Sequence, residues 1–539
     1  MQEITRNTVT EWSFTSTKTY PDAFADVDLD VIFTDSSGTQ RRVPAFWAGG
    51  DTWRVRFATP NVGGCTYRTV CSDASDSGLH GQEGSFEVVA YTGSNPLYKH
   101  GPVQIAADRC HFEHADGTPF FWLADTEWMG LCKRLDWPDG FQSLAADRAR
   151  KGFNVVQIVA GLYPDMPEYD ERGANEAGFP WEAGFTRINP AYFDMADRRI
   201  EHLVESGLAP CIVGCWGYFI ALMGKEKMKQ HWRYLIARYG AYPVVWCAAG
   251  EATMAFYTST EDRQDYYRRV RAEWTELARY MRSVDAFKRL ITVHPGGSSG
   301  SGHDMLDDAS LMDFDMLQTG HSGHFDYANT LNALASALGH EPKMPVINSE
   351  VCYEGILEMS REEIQRLYFW SCVLAGAAGH TYGANGIWQV NTAERPHGPS
   401  PHGVSWGDTP WQVAAQFPGS THVGVGRRIL ERYPWWEFEP HQEWIESHKI
   451  GMYVPDHASH FVPRAAGIPG KLRLIYTSYL LGGLTKVKGI EPGVQYRASY
   501  ANPSDGSQID LGAVTADESG DWTPARPPIM RDWVLVLES

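Results

Sequence analysis

The chain has 539 residues, too many for one ordinary domain, and its length predicts two or three domains. Its composition, 43% hydrophobic and 21% charged residues, is typical of a folded protein. The formal net charge of −19 disfavours nucleic acid and anionic membranes as partners, because both are bound through clustered cations. No apolar stretch reaches the roughly 18 residues that would predict a membrane span.

The cysteines and the first residues bear on the cellular compartment. The number of cysteines, nine, is odd, and Cys211, Cys215, Cys247 and Cys372 lie in apolar runs, as buried thiols in a reducing compartment do. The first six residues lack the charged and apolar regions of a secretory signal. We therefore expect a cytoplasmic protein, or a secreted or periplasmic one if a signal peptide has been removed.

Residues 1–95 have the pattern of short β-strands. Apolar and polar residues alternate at 27–33 and 53–57, as they do in half-buried strands. Turn residues at 35–38 and 60–64 separate these segments, and no helical period intervenes. This pattern predicts an antiparallel β-sandwich.

Between residues 96 and 435, strand patterns alternate with helical ones. Amphipathic helices are predicted at 195–205, 228–239 and 265–281. Such alternation indicates a parallel sheet covered by helices, and eight strand–helix units predict a (β/α)8 barrel. An open doubly wound sheet is the alternative, but no Gly-rich phosphate-binding turn follows the first strand. The eight apolar runs lie at 119–124, 153–158, 209–214, 243–248, 290–293, 314–318, 345–349 and 378–382.

Strand patterns return between residues 436 and 539. Apolar runs at 472–476 and 533–537 are separated by turn residues at 502–503 and 505–506. We predict a second β-sandwich here. The expected fold class is therefore a multidomain α/β protein, in which a (β/α)8 TIM barrel is flanked by two β-sandwich domains.

The active site of a (β/α)8 barrel forms where the strands end at their carboxyl face. The candidate site residues are therefore the polar and aromatic side chains at the ends of the eight runs. They carry little positive charge, which suits a neutral polyhydroxylated ligand bound by hydrogen bonds and ring stacking. In chain order they are Asp125, Glu127, Trp128, Gln157, Trp216, Glu251, His294, Gln318, His321, Glu350, Tyr353, Glu354, Tyr382, Asn385 and Trp388.

Glu251 and Glu350 form the most informative pair. They follow the fourth and seventh strands, from which two glutamates would face each other across the barrel mouth. A glycosidase needs one carboxyl group to protonate the leaving oxygen and another to attack the anomeric carbon or to activate water. The pair therefore predicts catalytic carboxyl groups, although each glutamate alone could be a helix cap or an ion-pair partner.

The remaining candidates have weaker signals. Asp125 either binds sugar hydroxyls beside a wall formed by Trp128 or caps the following helix. His294 and His321 suit hydroxyl recognition or hydrogen bonding in the core, since no His/Asp set has the spacing of a metal site. A Gly/Ser-rich loop at 296–302, followed by acidic residues at 303–308, could form a rim or lid, with only a weak calcium signal. We predict no cofactor and no metal.

Three segments, at 119–128, 152–157 and 348–355, resemble the apiosidase-like glycoside hydrolases, a (β/α)8 family related to a larger clan of retaining enzymes. The resemblance implies that Glu251 is the acid/base and Glu350 the nucleophile. It also implies an immunoglobulin-like domain before the barrel and a β-sandwich module after it. The larger clan has Asn where this chain has Gly250, and apiosidase itself has Asp in place of Glu251. The resemblance therefore identifies the scaffold and leaves the sugar open.

Together these observations predict a retaining, exo-acting glycoside hydrolase. It would release a terminal sugar, with furanosides among the candidates, from a plant or microbial glycan or glycoside. The expected partner is an oligosaccharide or glycoside substrate, without nucleic acid or membrane, and a homo-oligomer stays open. Two alternatives are a non-catalytic carbohydrate-binding protein on a degenerate barrel and a metal-dependent sugar isomerase or hydrolase that uses the histidines. The sugar, its linkage and its anomer are not readable from the sequence.

Overall fold

The computed structural model describes residues 2–296, 300–448 and 460–539. A sheet-rich amino-terminal part, a parallel barrel and a sheet-rich carboxy-terminal part follow one another along the chain. This is the multidomain α/β architecture that the sequence predicts. Residues 297–299 of the predicted Gly/Ser-rich loop lie outside the described residues.

The amino-terminal part is a sandwich of two sheets. The five-stranded sheet has the order β1-β8-β7-β3-β4, and the three-stranded sheet has the order β2-β6-β5. Phe33 and Phe57 stack across the interface at 4.0 Å, which places one core between the sheets. Strands β1 and β8 pair in parallel, so the sandwich is mixed rather than purely antiparallel. The elements are β1 (Gln2–Thr5), β2 (Thr10–Thr15), α1 (Ala23–Asp26), β3 (Leu29–Thr34), β4 (Gln40–Pro44), β5 (Phe46–Gly49), β6 (Thr52–Phe57), β7 (Gly63–Cys71) and β8 (Glu83–Val89).

A short helix and a small antiparallel sheet lead into the barrel, and all eight predicted runs then contribute a parallel strand. The barrel order is β16-β15-β14-β13-β12-β19-β18-β17. At the junction of β16 and β17, the Thr292 hydroxyl donates to the Phe314 carbonyl at 2.8 Å. The elements are α2 (Pro96–Lys99), β9 (Val103–Ile105), β10 (Phe112–His114), β11 (Pro119–Phe120), β12 (Trp122–Thr126), β13 (Val155–Val159), β14 (Ala209–Val213), β15 (Val245–Cys247), β16 (Ile291–Thr292), β17 (Asp315–Gln318), β18 (Val346–Glu350) and β19 (Gly379–Tyr382).

Helices cover the outside of the barrel, and the three predicted amphipathic stretches lie in α4, α6 and α7. The crossover after β16 has only 3-10 turns in its described residues, Gly302–Met305 and Ala309–Leu311, because its Gly/Ser-rich sequence disfavours a helix. No described helix is long and apolar enough to span a bilayer. The helices are α3 (Asp139–Lys151), α4 (Pro190–Glu205), α5 (Phe219–Met223), α6 (Lys225–Tyr239), α7 (Arg263–Val284), α8 (Tyr327–Leu338), α9 (Glu362–Val373), α10 (Trp411–Ala414) and α11 (Pro418–Leu430).

The carboxy-terminal part again consists of two sheets. A six-stranded sheet has the order β20-β22-β23-β27-β25-β26, and β21 pairs with β24. Trp444 and Val487 share a buried cluster with Ile475 and Leu535, so the sheets enclose a core. The strands are β20 (Glu439–Pro440), β21 (Ile445–Ser447), β22 (Arg464–Ile468), β23 (Leu472–Thr477), β24 (Leu484–Val487), β25 (Arg497–Ala501), β26 (Gln508–Ala513) and β27 (Trp533–Glu538).

A buried ion cluster joins the amino-terminal sandwich to the barrel. Asp197 on α4 accepts from Arg56 of β6 at 2.5 Å and from Arg238 of α6 at 2.8 Å. All three side chains are almost fully buried, so neither arginine can exchange its carboxylate partner for water. Burial raises the pKa of Asp197, but the charges of Arg238 and Arg56 outweigh it and hold that pKa well below its usual range.

We expect Asp197→Asn to lower the free energy of unfolding by about 3 kcal/mol, because it removes the buried carboxylate that both guanidinium groups share and leaves them only their partly exposed partners, Glu11 and Asp194. The unfolding midpoint in a denaturant titration measures this loss. Asp510→Asn is the matched control, since Asp510 accepts from Arg497 at 3.0 Å on the surface, and its midpoint should stay at the wild-type value. Equal midpoints for both variants would contradict the assignment.

Candidate active site

The carboxyl ends of the barrel strands surround a cavity of about 300 Å³. Eight of the predicted site residues line it, and they come from six different strands or the loops that follow them. This is the end of the barrel at which the sequence places the site. The eight are Trp128, Trp216, Glu251, Gln318, His321, Glu350, Tyr353 and Trp388.

Glu251 lies in the turn that follows β15, with its backbone in the left-handed region at a φ of 43°. For a residue with a side chain this conformation costs about 1 kcal/mol. The turn is tight because Trp216 packs against it. A Cβ atom on Gly250 would lie 2.3 Å from the Trp216 ring, so only glycine fits before Glu251. The glycine that departs from the larger clan therefore has a packing reason.

Glu350 is the last residue of β18, and it is buried among three side chains that can donate hydrogen bonds. Its Oε1 accepts from His321 Nε2 at 2.9 Å and from Gln318 Nε2 at 3.0 Å. Its Oε2 lies 3.2 Å from His294 Nε2. The ends of β16 and β17 supply these partners, so the barrel closure itself builds the pocket around this carboxyl group.

These neighbours decide the charge of Glu350. Burial raises its pKa, but the contacts of its carboxylate with His294 and with the imidazolium of His321 outweigh burial and hold the pKa at about 2. Burial lowers the pKa of His321, whereas its contacts with Cys352 and Glu350 raise that pKa to about 10. Glu350 is therefore an ionised carboxylate at neutral pH, paired with an imidazolium.

Glu251 has the opposite electrostatic environment. Burial raises its pKa, the nearby charge of Glu350 raises it further, and the hydrogen bond from Gln318 opposes both, which leaves the pKa at about 7. Near neutral pH, Glu251 therefore retains a proton in a large fraction of molecules. One carboxyl group that can donate a proton thus lies beside one that is ionised.

Gln318 contacts both of these carboxyl groups. Its Nε2 donates to Oε1 of Glu251 and to Oε1 of Glu350, each at 3.0 Å. The two oxygens can therefore be at most about 6 Å apart, and about 5 Å apart for a donor angle of roughly 120° at the planar amide.

Aromatic rings form the walls of the cavity. The Trp128 Nε1 donates to the Tyr353 hydroxyl at 3.0 Å, and Trp128 meets Trp216 edge-on at 5.5 Å. Trp388 lies beside Tyr353 at 6.3 Å. Such rings offer flat apolar faces next to the carboxyl pair, as sugar rings require.

The outer part of the cavity comes from loops, and the sequence reasoning missed its residues. Asp165 accepts hydrogen bonds from the Tyr257 hydroxyl and, at 3.1 Å, from Trp406 Nε1. His402 stacks on Tyr257 at 4.9 Å. Long loops have no hydrophobic period to locate them, so only the density of acidic and aromatic residues after β13 and β19 could have signalled this region. The other missed lining residues are Pro164, Met254 and Ile356.

Several predicted site residues lie behind the cavity wall instead of lining it. Asp125 is fully buried and pairs with Arg148 of α3 at 2.5 Å, and it neither caps a helix nor lines the cavity. Glu127 lies near the same pair, and burial together with the charge of Asp125 raises its pKa to about 8. Gln157 donates to the Ser349 carbonyl at 3.1 Å in the barrel interior. These side chains support the wall.

The remaining predicted residues are also held by protein groups. Glu354 accepts from the Tyr382 hydroxyl at 2.5 Å and from the Gly419 amide at 3.0 Å, so this pair connects the barrel to α11. Asn385 donates to the Trp406 carbonyl at 2.6 Å and thereby fixes the last loop. His294 lies behind Glu350, as described above. None of these residues is among those that line the described cavity.

The histidines do not form a metal site in the described part of the chain. No group of three or more His, Cys, Asp or Glu side chains there is arranged to hold a metal ion. His294 and His321 both contact Glu350 and so serve a carboxylate. In the loop after β16, Asp308 accepts from the Ser310 amide and caps a 3-10 turn.

Comparison with known proteins places the chain in families. Residues 106–437 match a family described as apiosidase-like, catalytic domain, and residues 3–72 match a domain family of unknown function, DUF5060. No curated protein matches the sequence.

Several solved structures share the fold. A glycoside hydrolase family 5 protein from Bacteroides vulgatus is 22% identical, with 83% of this chain and 95% of that chain covered at a TM-score of 0.67. A second protein from that organism, named for a proposed glycoside hydrolase activity, is 18% identical, with 100% of both chains covered at a TM-score of 0.68. At such identities the likeness establishes the fold alone. The catalytic-domain match, however, spans more than half of the chain and contains both Glu251 and Glu350, and the protein therefore belongs to the apiosidase-like family of glycosidases.

Proposed function

We propose that this glycosidase is retaining and exo-acting, with Glu251 as the acid/base and Glu350 as the nucleophile. The observation that carries the proposal is the pair of contacts made by Gln318, which holds the facing carboxyl oxygens no more than about 6 Å apart. Retaining glycosidases have carboxyl groups about 5–5.5 Å apart, whereas inverting ones need about 6.5–9.5 Å to admit a water molecule.

In the first half-reaction, Glu251 gives its proton to the glycosidic oxygen while a carboxylate oxygen of Glu350 attacks the anomeric carbon. The bond between that carbon and the leaving oxygen breaks, the aglycone departs as an alcohol, and an ester joins the sugar to Glu350. The opposed environments support this division, because the pKa of Glu251 is raised to about 7 while that of Glu350 is held at about 2.

In the second half-reaction, Glu251 is a carboxylate and acts as the base. It removes a proton from water as the water oxygen attacks the anomeric carbon, and the ester bond to Glu350 breaks. Both glutamates return to their starting protonation states, and two inversions at the same carbon give net retention.

The cavity supports an exo mode of action on a neutral sugar. Its volume of about 300 Å³ is at the lower end of small-molecule pockets, which suits one terminal sugar better than a long polysaccharide. Three carboxyl groups, Asp165, Glu251 and Glu350, line the cavity, and its described lining contains no Lys or Arg. Such a cavity offers an anionic sugar no lysine or arginine partner and favours hydroxyl groups, which bind carboxylates as donors.

We assign the domains as 1–95, 96–435 and 436–539, with an immunoglobulin-like sandwich first and the catalytic barrel second. The two-sheet organisation of the first part and the change to parallel strands after it support these boundaries. The cavity-lining residues from the barrel are the proposed substrate contacts.

We expect Glu251→Gln to lower kcat by about 10²–10⁴-fold, because the acid of the first half-reaction and the base of the second are both lost, and Glu350→Gln to lower it at least as far. A panel of aryl pyranosides and furanosides, including apioside, arabinofuranoside and galactofuranoside, measures release. Glu171→Gln on the surface is the matched control and should retain wild-type rates. Full activity in both site variants would mean that other groups are catalytic.

The dependence of kcat/KM on pH follows from the two carboxyl groups. Glu251 must be protonated, so activity should fall as the pH rises through about 7, and Glu350 must be ionised, so activity should fall only in strong acid, toward pH 2. An activated aryl leaving group needs no acid. With such a substrate, the rate of the first half-reaction should no longer fall as the pH rises through about 7, so the basic limb of the pH profile should disappear. A basic limb near pH 7 that survives in Glu251→Gln would contradict the assignment.

The anomer released first reports the stereochemistry. Proton NMR during the first minutes of hydrolysis should show product of the same anomeric configuration as the substrate. Initial product of inverted configuration would overturn the retaining assignment while leaving the glycosidase assignment intact.

A further inference from the structure

A single side chain contacts both proposed catalytic carboxyl groups. The amide nitrogen of Gln318 carries two hydrogens and lies 3.0 Å from Oε1 of Glu251 and 3.0 Å from Oε1 of Glu350. Of the two glutamates, His294 and His321 contact Glu350. Among the described residues, Gln318 is therefore the side chain whose hydrogen bonds join the two glutamates.

An irregularity in the barrel ladder places Gln318 there. Leu317 pairs with Asn348, but Gln318 pairs with Glu350, so β18 contains one residue more than β17 at this point. The extra residue, Ser349, donates its hydroxyl to the Leu317 carbonyl at 2.8 Å. Without this bulge Gln318 would lie opposite Ser349. Successive side chains of a strand point to opposite faces of the sheet, so the side chain of Ser349 points away from the face on which Glu350 lies. The bulge thus brings an amide donor level with Glu350.

The negative charge of the site moves during the proposed reaction. In the free enzyme Glu350 carries it, and in the glycosyl-enzyme Glu350 is an ester while Glu251 carries it. An amide that donates to both oxygens contacts the charged group in each state without having to move, which is the kind of preorganised donor that lowers barriers.

We propose that Gln318 is the positioning residue of the reaction: it sets the separation of Glu251 and Glu350 and stabilises whichever of them is ionised. This inference rests on the proposed function. Other charged or titratable groups also act on the pair. His294, His321 and Tyr353 act on Glu350, and Asp165, Tyr218 and Tyr257 act on Glu251. These groups explain why the two glutamates differ, whereas Gln318 keeps them together.

The test compares the wild-type enzyme with Gln318→Met, which keeps the approximate length of the side chain and removes its donors. We expect kcat to fall about 10²-fold with a smaller change in KM, as for loss of one preorganised donor. Both limbs of the pH profile should move to higher pH, because a hydrogen bond to a carboxylate favours its ionised form and its loss raises the pKa.

Gln365→Met is the matched control. Gln365 is also buried, and its Nε2 donates to the Cys352 carbonyl at 2.7 Å and to the Ser360 hydroxyl at 3.1 Å. Its replacement therefore removes two hydrogen bonds, as Gln318→Met does, without touching either catalytic glutamate. Its thermal midpoint should fall as in Gln318→Met, while the limbs of its pH profile stay in place. If Gln318→Met does not fold, Gln318→Asn retains the amide on a side chain too short to reach both oxygens and should shift the limbs in the same direction.

Titration of ¹³C-labelled glutamate carboxyl groups by NMR gives a readout that needs no substrate, with Glu251→Gln and Glu350→Gln identifying the signals. Raised pKa values of both groups in Gln318→Met would support the positioning role even if the wild-type enzyme hydrolysed nothing on the panel, in which case the proposed function alone would fail. The inference would be overturned if Gln318→Met left both carboxyl pKa values and both limbs of the pH profile unchanged and kept kcat within threefold of the wild-type value. A large loss of kcat with unmoved limbs would also overturn it, because a purely structural role has that signature.

Discussion

The repulsion between two buried carboxyl groups is the constraint on which the site depends. At a separation of about 5 Å and an effective dielectric constant of about 20, two negative charges repel by about 3 kcal/mol. The barrel relieves this repulsion by keeping one group protonated. His294 and His321 lie on the Glu350 side, so the proton stays on Glu251. Unequal placement of imidazoles thus gives two identical side chains different protonation states, as the proposed acid and nucleophile require.

The sequence predicted the barrel well because its signals are repetitive. Each of the eight apolar runs is a strand, and strand order in such a barrel follows chain order. Once the strands were placed, Glu251 and Glu350 had to lie at one rim, since parallel strands end at the same face. The fifth crossover departs from the ideal unit, and its Gly/Ser-rich composition accounts for the departure.

Prediction of individual side chains was less complete, for a physical reason. Successive residues of a barrel strand point in turn to the barrel interior and to the helix layer. When both faces of the strand are apolar, the sequence does not reveal which residues point to the interior. Asp125 lies on the strand but pairs with Arg148 of α3, which is the helix side. Asp165 and Trp406, conversely, reach the cavity from loops that have no period to read. Packing between distant segments decides both outcomes.

The contact between Gly250 and Trp216 has an evolutionary consequence. A side chain at position 250 would overlap the indole ring, and a smaller residue at 216 alone would leave a hole in the cavity wall. A change at position 250 or at position 216 alone is therefore harmful. Asn at position 250 requires a smaller residue at position 216, so the two positions have to change together. Within homologous sequences the two positions should covary, and attempts to broaden specificity by library design should randomise them together.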